Sequence, residues 1–326
     1  MAKRIEFTEI GGPEVFKYVD YNLQNERPSS NEIRIEHISI GVNYIDTYHR
    51  SGLYPVTLPL VPGLEAVGKI IDIGVDVVDF NIGDRVGYSS PPLGAYCEIR
   101  DYPSDKAFKI PDFINSDEAA SILLKGMTVE YLFNRTYKIK TNDFVLFHAA
   151  AGGVGLIACQ WAKAIGCNLI GTVGSDEKTQ LVKNNGCEHV INYNKDSVAE
   201  RVMDITRGVG VHVAYDGVGK DTFNTSINCL SKRGMFVSFG NASGMTPMTD
   251  LFKSFSPKNL YFTRPSLLIY NDSREEIIQS SDLLFKMIKE KKITFNLSKV
   301  YRLNEAHIVH KELESRKTTG SLILKP

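Results

Sequence analysis

At 326 residues the chain is long enough for about two domains. Hydrophobic residues make up 43 % and charged residues 23 %, which excludes a wholly disordered or fibrous chain. Lys plus Arg equals Asp plus Glu at 38 each, so no net charge recommends nucleic acid or an acidic membrane as partner.

No signal-like apolar core opens the chain and no run of eighteen apolar residues follows, so no membrane span is expected. Five cysteines (Cys97, Cys159, Cys167, Cys187, Cys229) stand singly, without a C-x-x-C pair. That pattern excludes a zinc ribbon or a disulfide framework and fits a cytoplasmic protein.

The first hundred or so residues read as short strands, "EIRIEHISI" (32–40), "EAVGKIIDIG" (65–74) and "DRVGY" (84–88), punctuated by Gly and Pro. "NSDEAASILLKGMTVEYLFNRT" (115–136) has helical spacing, with Asn115 or Ser116 as N-cap. A regular alternation then begins: strand 143–150, helix 153–165, strand 168–174, helix 176–185, strand 189–193, helix 197–206, and strands 211–217 and 234–240. Such alternation predicts an α/β fold with a doubly wound parallel sheet and right-handed crossovers. The last stretch adds strand 259–264, a long helix near 274–290 with Ile277, Ile278, Leu284, Phe285 and Ile288 on one face, and a final strand "GSLILKP". The tail is expected to return to the β-rich first part, making the α/β unit an insertion. The apolar strand 234–240 is read as a sheet edge able to pair across a two-fold and give a homodimer, the alternative being a strand covered within a monomer.

The sharpest signal is "FVLFHAAAGGVGLIACQWAKAIG" (144–166), a buried strand running into a glycine turn that opens a helix. Ala150, Gly152 and Gly155 occupy the three glycine slots of a dinucleotide fingerprint, with Ala150 a departure from the strict pattern and Gly153 adding room. The slots serve a tight turn, close approach to a pyrophosphate, and close helix–strand packing, with free N–H groups at the helix start meeting the phosphate. The end of the next strand gives Gly174, Ser175, Asp176, Glu177 and Lys178. A small pocket with a hydroxyl and a lysine suits the 2′-phosphate of NADPH, whereas Asp176 remains open as an NAD carboxylate placed one turn late. His148 reads as a satisfied strand-end histidine rather than a base.

Over essentially its whole length the chain resembles the zinc-independent quinone oxidoreductase (ζ-crystallin-like) branch of the medium-chain dehydrogenase/reductase family, most of all its bacterial NADPH-dependent members. The resemblance rests on "IGVNYIDTYHRSGLYP" (40–55), "PGLEAVGKIIDIG" (62–74), "GDRV" (83–86), "KGMTVEYL" (125–132), "HAAAGGVG" (148–155), "YDGVG" (215–219) and "FGNASG" (239–244). It implies a Rossmann-type domain (125–264) inserted in a β-rich, GroES-like catalytic domain (1–124 with 265–326). Zinc enzymes of the family carry Gly-His-Glu where this chain has Gly63-Leu64-Glu65, and Cys where it has Asn43, so no catalytic zinc is expected.

The resemblance implies NADPH-dependent, metal-free reduction of a quinone. Asn43 would face the nicotinamide, Asp46 would fix Asn43 or the cofactor ribose, and Tyr48 and Tyr54 would line the acceptor. Bland alternatives are a turn asparagine, an Asp46–Arg50 ion pair and packing tyrosines. Thr128 and Tyr131 would touch the nicotinamide side, and Gly152, Gly153 and Val154 would hold the pyrophosphate. Gly174, Ser175, Lys178, Tyr193 and Arg316 would surround the 2′-phosphate. Val218, Asn241, Ser243 and Gly244 would border the nicotinamide ribose, with Arg264 reaching in from the domain junction. The alternatives in function are reduction of an enone or 2-alkenal, or nucleotide binding without catalysis, as in crystallin-like or RNA-binding relatives.

Overall fold

The computed structural model describes residues 1–24, 26–247 and 251–326. In chain order the first strands are β1 (Ala2–Glu6), β2 (Lys17–Tyr21) and β3 (Glu32–Val42), followed by helix α1 (Tyr44–Ser51). Strands β4 (Glu65–Ile73), β5 (Arg85–Tyr88), β6 (Ile99–Pro103) and β7 (Phe108–Lys109) lead to α2 (Ser116–Tyr131). The alternating part comprises β8 (Phe144–Phe147), α3 (Gly153–Ile165), β9 (Asn168–Val173), α4 (Asp176–Asn184) and β10 (His189–Asn192). It continues through α5 (Val198–Ile205), β11 (Val211–Asp216), α6 (Phe223–Cys229), β12 (Leu230–Ser238), α7 (Leu251–Phe255) and β13 (Tyr261–Thr263). Helices α8 (Leu267–Tyr270) and α9 (Arg274–Lys289), strand β14 (Leu297–Arg302), helix α10 (Ala306–Glu314) and strand β15 (Ser321–Lys325) complete the chain. No helix among the described residues is long and apolar enough to cross a membrane.

The described residues divide into two compact units. The first comprises Met1–Met127, Asn271–Lys289 and Phe295–Pro326. Its main sheet runs β14-β15-β3-β4-β5-β7, with β6 also paired to β3, and β1 and β2 form a separate ribbon. The C-terminal β15 lies antiparallel to β3, through Leu322↔Val42 and Leu324↔Ile40. Alternate residues of β4 and β15 (Ala66, Ile70, Leu322, Leu324) enter one buried cluster, as the two-residue period of a half-buried strand requires. Strand β3 adds Ile33 and Ile35 before its irregularity at His37–Ser39 and Ile40 after it, where the alternation changes phase. Helix α2 starts on a capping box: Asn115 Oδ1 accepts the Glu118 N–H at 2.9 Å, and Glu118 Oε2 accepts the Asn115 N–H at 3.0 Å. The cap is therefore Asn115, and the helix ends in a π turn over Leu132–Thr136.

The second unit comprises Thr128–Tyr270 and Glu290–Thr294. Its six-stranded sheet has the order β10-β9-β8-β11-β12-β13. Every pairing in it is parallel, as the strand–helix alternation predicts. Leu146, Ile170, Ile191, Val211, Ala214 and Phe236 form its core with Val202 and Ile227 from the helices. On α3, Ile157, Ala158, Trp161 and Ala162 are buried as their spacing predicts, while Val154 and Ile165 at its ends are half-buried. Each large side chain buried there contributes on the order of 1.5–3 kcal/mol.

One expectation is overturned. Residues 234–240 do not form the sheet edge, because β12 pairs with β11 on one side and with β13 on the other. The short segment "YFT" covers it through Met235↔Tyr261, Phe236↔Phe262 and Val237↔Thr263, so β13 is the edge.

Candidate active site

The order of the strands reverses between β8 and β11: successive strands go outward to β10 on one side and to β13 on the other. The carboxyl ends of strands around such a switch point form the ligand crevice of an open α/β sheet. The loops after β8, β9, β11 and β12 all lie at those carboxyl ends, and they carry most of the sequence-predicted cofactor residues.

After β8 the chain turns sharply. Ala149 takes the left-handed conformation (φ 55°), and the Gly152 N–H returns to its carbonyl at 3.0 Å. Ala150 remains buried with its N–H on Thr172 O at 3.0 Å. A methyl is tolerated in this first slot because the neighbouring strand supplies Gly171, where any Cβ would stand 2.8 Å from the Ala150 Cβ. A Cβ on Gly155 would come within 2.6 Å of the Ala149 carbonyl oxygen and the Ala150 backbone, so close helix–strand contact fixes that glycine. Helix α3 begins at Gly153, and its first bond from within is Leu156 N–H to Gly152 O at 2.9 Å. The N–H groups of Gly153, Val154 and Gly155 thus head the helix with no carbonyl a turn before them, which suits a phosphate. The cradle fits a dinucleotide.

At the end of β9, Ser175 caps α4, accepting the Lys178 N–H at 3.3 Å. A Cβ on Gly174 would stand 2.5 Å from the Tyr193 hydroxyl, so Tyr193, itself exposed, leans over the strand end. Lys178 is half-buried, and burial lowers its pKa. Asp176 is engaged elsewhere: Lys195 Nζ lies 2.5 Å from Oδ2, and Asn192 Nδ2 donates to Oδ1 at 2.9 Å. Those two partners hold its carboxyl below the usual range.

Behind β11, Asp216 organises the next loop. Its Oδ1 accepts from Val218 N–H (2.9 Å), Gly219 N–H (2.9 Å) and Thr222 Oγ1 (2.8 Å), and its Oδ2 accepts from Ser226 Oγ (2.8 Å). The loop after β12 is joined to it: Ser243 N–H donates to Val218 O at 2.8 Å, and Lys220 N–H to Gly244 O at 3.1 Å. Asn241 is buried beside them. His148 lies 3.0 Å from both Thr172 Oγ1 and Ser226 Oγ, so both ring nitrogens are satisfied and burial lowers its pKa. Ser226 gives its proton to Asp216, which makes this a structural chain rather than a nucleophilic triad. Thr128 and Tyr131 are buried on α2, with Tyr131 stacked on Tyr270 at 4.7 Å. Arg264 is exposed and donates to Ser238 O at 2.8 Å, bracing the end of β12. Arg316 belongs to the first unit, exposed at a left-handed φ of 60°.

In the first unit Asn43, Asp46, Tyr48 and Tyr54 gather around α1. Asn43 precedes the helix, and its N–H donates to Asp46 Oδ2 at 2.9 Å. Asn43 Nδ2 donates to Glu65 Oε2 at 2.7 Å, and the Leu124 N–H holds Glu65 Oε1 at 2.8 Å. Lys125 Nζ lies 3.5 Å from the same Glu65 Oε2. Gly41 makes room for this buried carboxylate, since any Cβ there would collide with it. Asp46 also accepts from Tyr96 Oη at 3.1 Å, while its Oδ1 is buried with no hydrogen-bond partner. Burial pushes Asp46 up to about 7, against the pull of the Asn43 N–H, Tyr96 and Lys125. Tyr48 and Tyr54 pack ring to ring at 5.1 Å.

The positions that hold zinc in the family's zinc enzymes therefore carry an amide already bonded to Glu65, a leucine with no donor atom, and Glu65 itself. This set offers a metal one carboxylate only. Among the described residues no group of three or more His, Cys, Asp or Glu is placed to hold a metal ion. Sequence reasoning did not single out Glu65, Tyr96, Lys125 or Asp216 as site residues. Glu65, Lys125 and Asp216 do stand in local motifs, "PGLEAVGKIIDIG", "KGMTVEYL" and "YDGVG", whereas Tyr96 has none.

Residues 29–133 match the family model described as alcohol dehydrogenase GroES-like domain, and residues 153–286 match that described as zinc-binding dehydrogenase. The chain is 46 % identical to a quinone oxidoreductase of Pseudomonas aeruginosa over 327 aligned residues, covering 100 % of each. It is 40 % identical to a 2-haloacrylate reductase of a Burkholderia species, covering 97 % of this chain and 96 % of that protein. The crystal structure of Escherichia coli quinone oxidoreductase complexed with NADPH superposes with a TM-score of 0.97 at 46 % identity, covering 100 % of both chains.

Proposed function

The chain belongs to the quinone oxidoreductase branch of the medium-chain dehydrogenase/reductase family, and on that premise we propose that it reduces quinones with NADPH and without a metal. The observation that carries this reading is the glycine turn at the switch point of the parallel sheet. Ser175 and Lys178 follow at the next strand end, where Asp176 is turned away onto Lys195. A carboxylate held there by a lysine does not meet a ribose 2′-OH, and a lysine beside a hydroxyl suits a 2′-phosphate.

Gly152, Gly153 and Val154 hold the pyrophosphate. Gly174, Ser175, Lys178, Tyr193 and Arg316 surround the 2′-phosphate. Val218, Asn241, Ser243, Gly244, Arg264, Thr128 and Tyr131 line the nicotinamide half. Bound NADPH supplies the hydride, and a proton from water completes the hydroquinone. Asn43 stays oriented by Glu65, Asp46 holds Asn43 in place, and Tyr48 and Tyr54 wall the acceptor. The Rossmann domain spans 125–264, and the catalytic domain 1–124 and 265–326. The protein is cytoplasmic and binds no nucleic acid. It forms a homodimer through β13, the sheet edge, where Tyr261 is 58 % and Phe262 38 % exposed.

Reduction of a polarised alkene is the second reading, favoured by the likeness to a 2-haloacrylate reductase. Cofactor choice is tested by Lys178→Ala, with affinities for NADPH and NADH measured by protein fluorescence. The variant weakens NADPH binding at least tenfold more than NADH binding; equal losses refute the 2′-phosphate assignment.

A further inference from the structure

Asp46 ends a chain of hydrogen bonds that crosses the interior of the first unit. Helix α1 presents Asp46 and Arg50 four residues apart on one face, and α10 presents His310 and Glu314 in the same way. Between them stands Tyr96, its Oη 3.1 Å from Asp46 Oδ2 and 3.0 Å from His310 Nε2. His310 Nδ1 lies 3.0 Å from Arg50 Nη1, and Arg50 Nη2 donates to Glu314 Oε1 at 2.7 Å. The Phe16 ring packs edge-on against both His310 and Tyr96. Arg50 is 2 % exposed and Tyr96 and His310 0 %, whereas the Glu314 side chain reaches 34 %.

The direction of every bond follows from Arg50. A guanidinium only donates, so His310 Nδ1 accepts and the ring proton sits on Nε2. That proton is given to Tyr96 Oη, whose single hydrogen is then left for Asp46 Oδ2. The same oxygen accepts the Asn43 N–H, so two donors converge on it and a proton there has no room. Burial and the Arg50 charge push His310 down to about 3, which keeps the ring neutral as the chain requires.

We infer that Arg50, His310 and Tyr96 are positioning residues for the proposed reduction. They form a one-directional chain of donors that favours the Asp46 carboxylate against the burial that opposes it, and Asp46 in turn fixes Asn43 opposite Glu65. The inference rests on the reading of Asn43 and Asp46 as site residues, but it concerns Tyr96 and His310, which no motif indicated, and Arg50, read from the sequence only as an ion-pair partner of Asp46. Other charged or titratable groups facing Asp46 are Lys125, which favours its anion, and Glu65, which opposes it. Loss of the Tyr96 donor removes a hydrogen bond to a charge, which moves the Asp46 titration up by about one pH unit.

The test uses Tyr96→Phe, His310→Leu and His310→Gln in the full chain, each checked for folding by thermal denaturation. Two quantities are measured against pH: the acid limb of kcat/KM with NADPH and a quinone, and the Asp46 carboxyl signal by ¹³C NMR of aspartate-labelled protein, assigned with Asp46→Asn. Tyr96→Phe and His310→Leu move both upward by about one unit. His310→Gln, whose amide can accept from Arg50 and donate to Tyr96, returns both to the wild-type position. If a buried variant does not fold, Glu314→Gln at the half-exposed end, which removes a negative charge while its amide oxygen still accepts from Arg50, gives a smaller shift in the opposite direction. Unchanged carboxyl titration in the folded variants overturns the inference. Because the NMR signal needs no turnover, a protein inactive toward quinones still tests the chain. A moved carboxyl titration with an unmoved acid limb overturns the link to the reduction.

Discussion

Replacing Asp46 by Asn should make the protein more stable at pH 8 while impairing it. The side chain is fully buried, and burial has pushed its carboxyl from an ordinary value near 4 up to about 7. Above pH 7 the folded state holds an anion that costs more in the interior than in the unfolded chain. Between about pH 4 and 7 the folded state binds more protons than the unfolded one, so stability falls as pH rises through that window. Three pH units at about 1.4 kcal/mol each cap the cost at roughly 4 kcal/mol. The isosteric amide escapes it: its oxygen can accept from the Asn43 N–H and Tyr96, and its NH2 takes the place of the unpartnered Oδ1. Weaker bonds to a neutral acceptor return about 1–2 kcal/mol, leaving a net gain of about 2 kcal/mol at pH 8. Thermal denaturation at pH 8, 6.5 and 5 reads it as a rise of roughly 4 °C that shrinks steadily toward acid. A variant less stable than wild type at pH 8, or equally stabilised at pH 8 and 5, refutes the reasoning.

Gly155→Ala forces a methyl to within 2.6 Å of backbone at Ala149 and Ala150. It should lower stability by about 1–3 kcal/mol and weaken NADPH binding at least tenfold, read by denaturation and fluorescence titration. Lys258 Nζ donates to the carbonyls of Ile227 (3.2 Å), Asn228 (2.8 Å) and Leu230 (2.7 Å), closing the C-terminus of α6. Lys258→Met should cost about 1–3 kcal/mol in urea unfolding, and a cost near zero would show that solvent satisfies those carbonyls. Burial pushes the thiols of Cys97 up to about 11 and of Cys167 and Cys229 up to about 12. The native protein should therefore react slowly with a thiol-specific disulfide reagent at pH 8 and all five thiols rapidly once unfolded; a fast native equivalent contradicts this.

The α/β unit was legible because its signals are local. Period and glycine placement within "FVLFHAAAGGVGLIACQWAKAIG" specify strand, turn and helix α3 at Gly153–Ile165. Helix α1 was not legible, since "YIDTYHRS" has Ile45 as its one aliphatic residue and buries Asp46 and Arg50 among polar partners instead. Those partners are remote in sequence: Tyr96 lies 50 residues from Asp46, and His310 lies 260 from Arg50. Spacing rules do not reach such pairs. The edge assignment of 234–240 failed for a related reason, because a three-residue strand such as "YFT" gives too short a pattern to announce that it covers a longer apolar one.

The central claim is tested most directly by following NADPH oxidation at 340 nm with 1,4-benzoquinone, 9,10-phenanthrenequinone and a 2-alkenal in parallel, each with an NADH control and with a chelator. The quinones should turn over with NADPH and little with NADH, with no loss to the chelator. Turnover of the alkenal alone, or activity that the chelator abolishes and zinc restores, would contradict that claim.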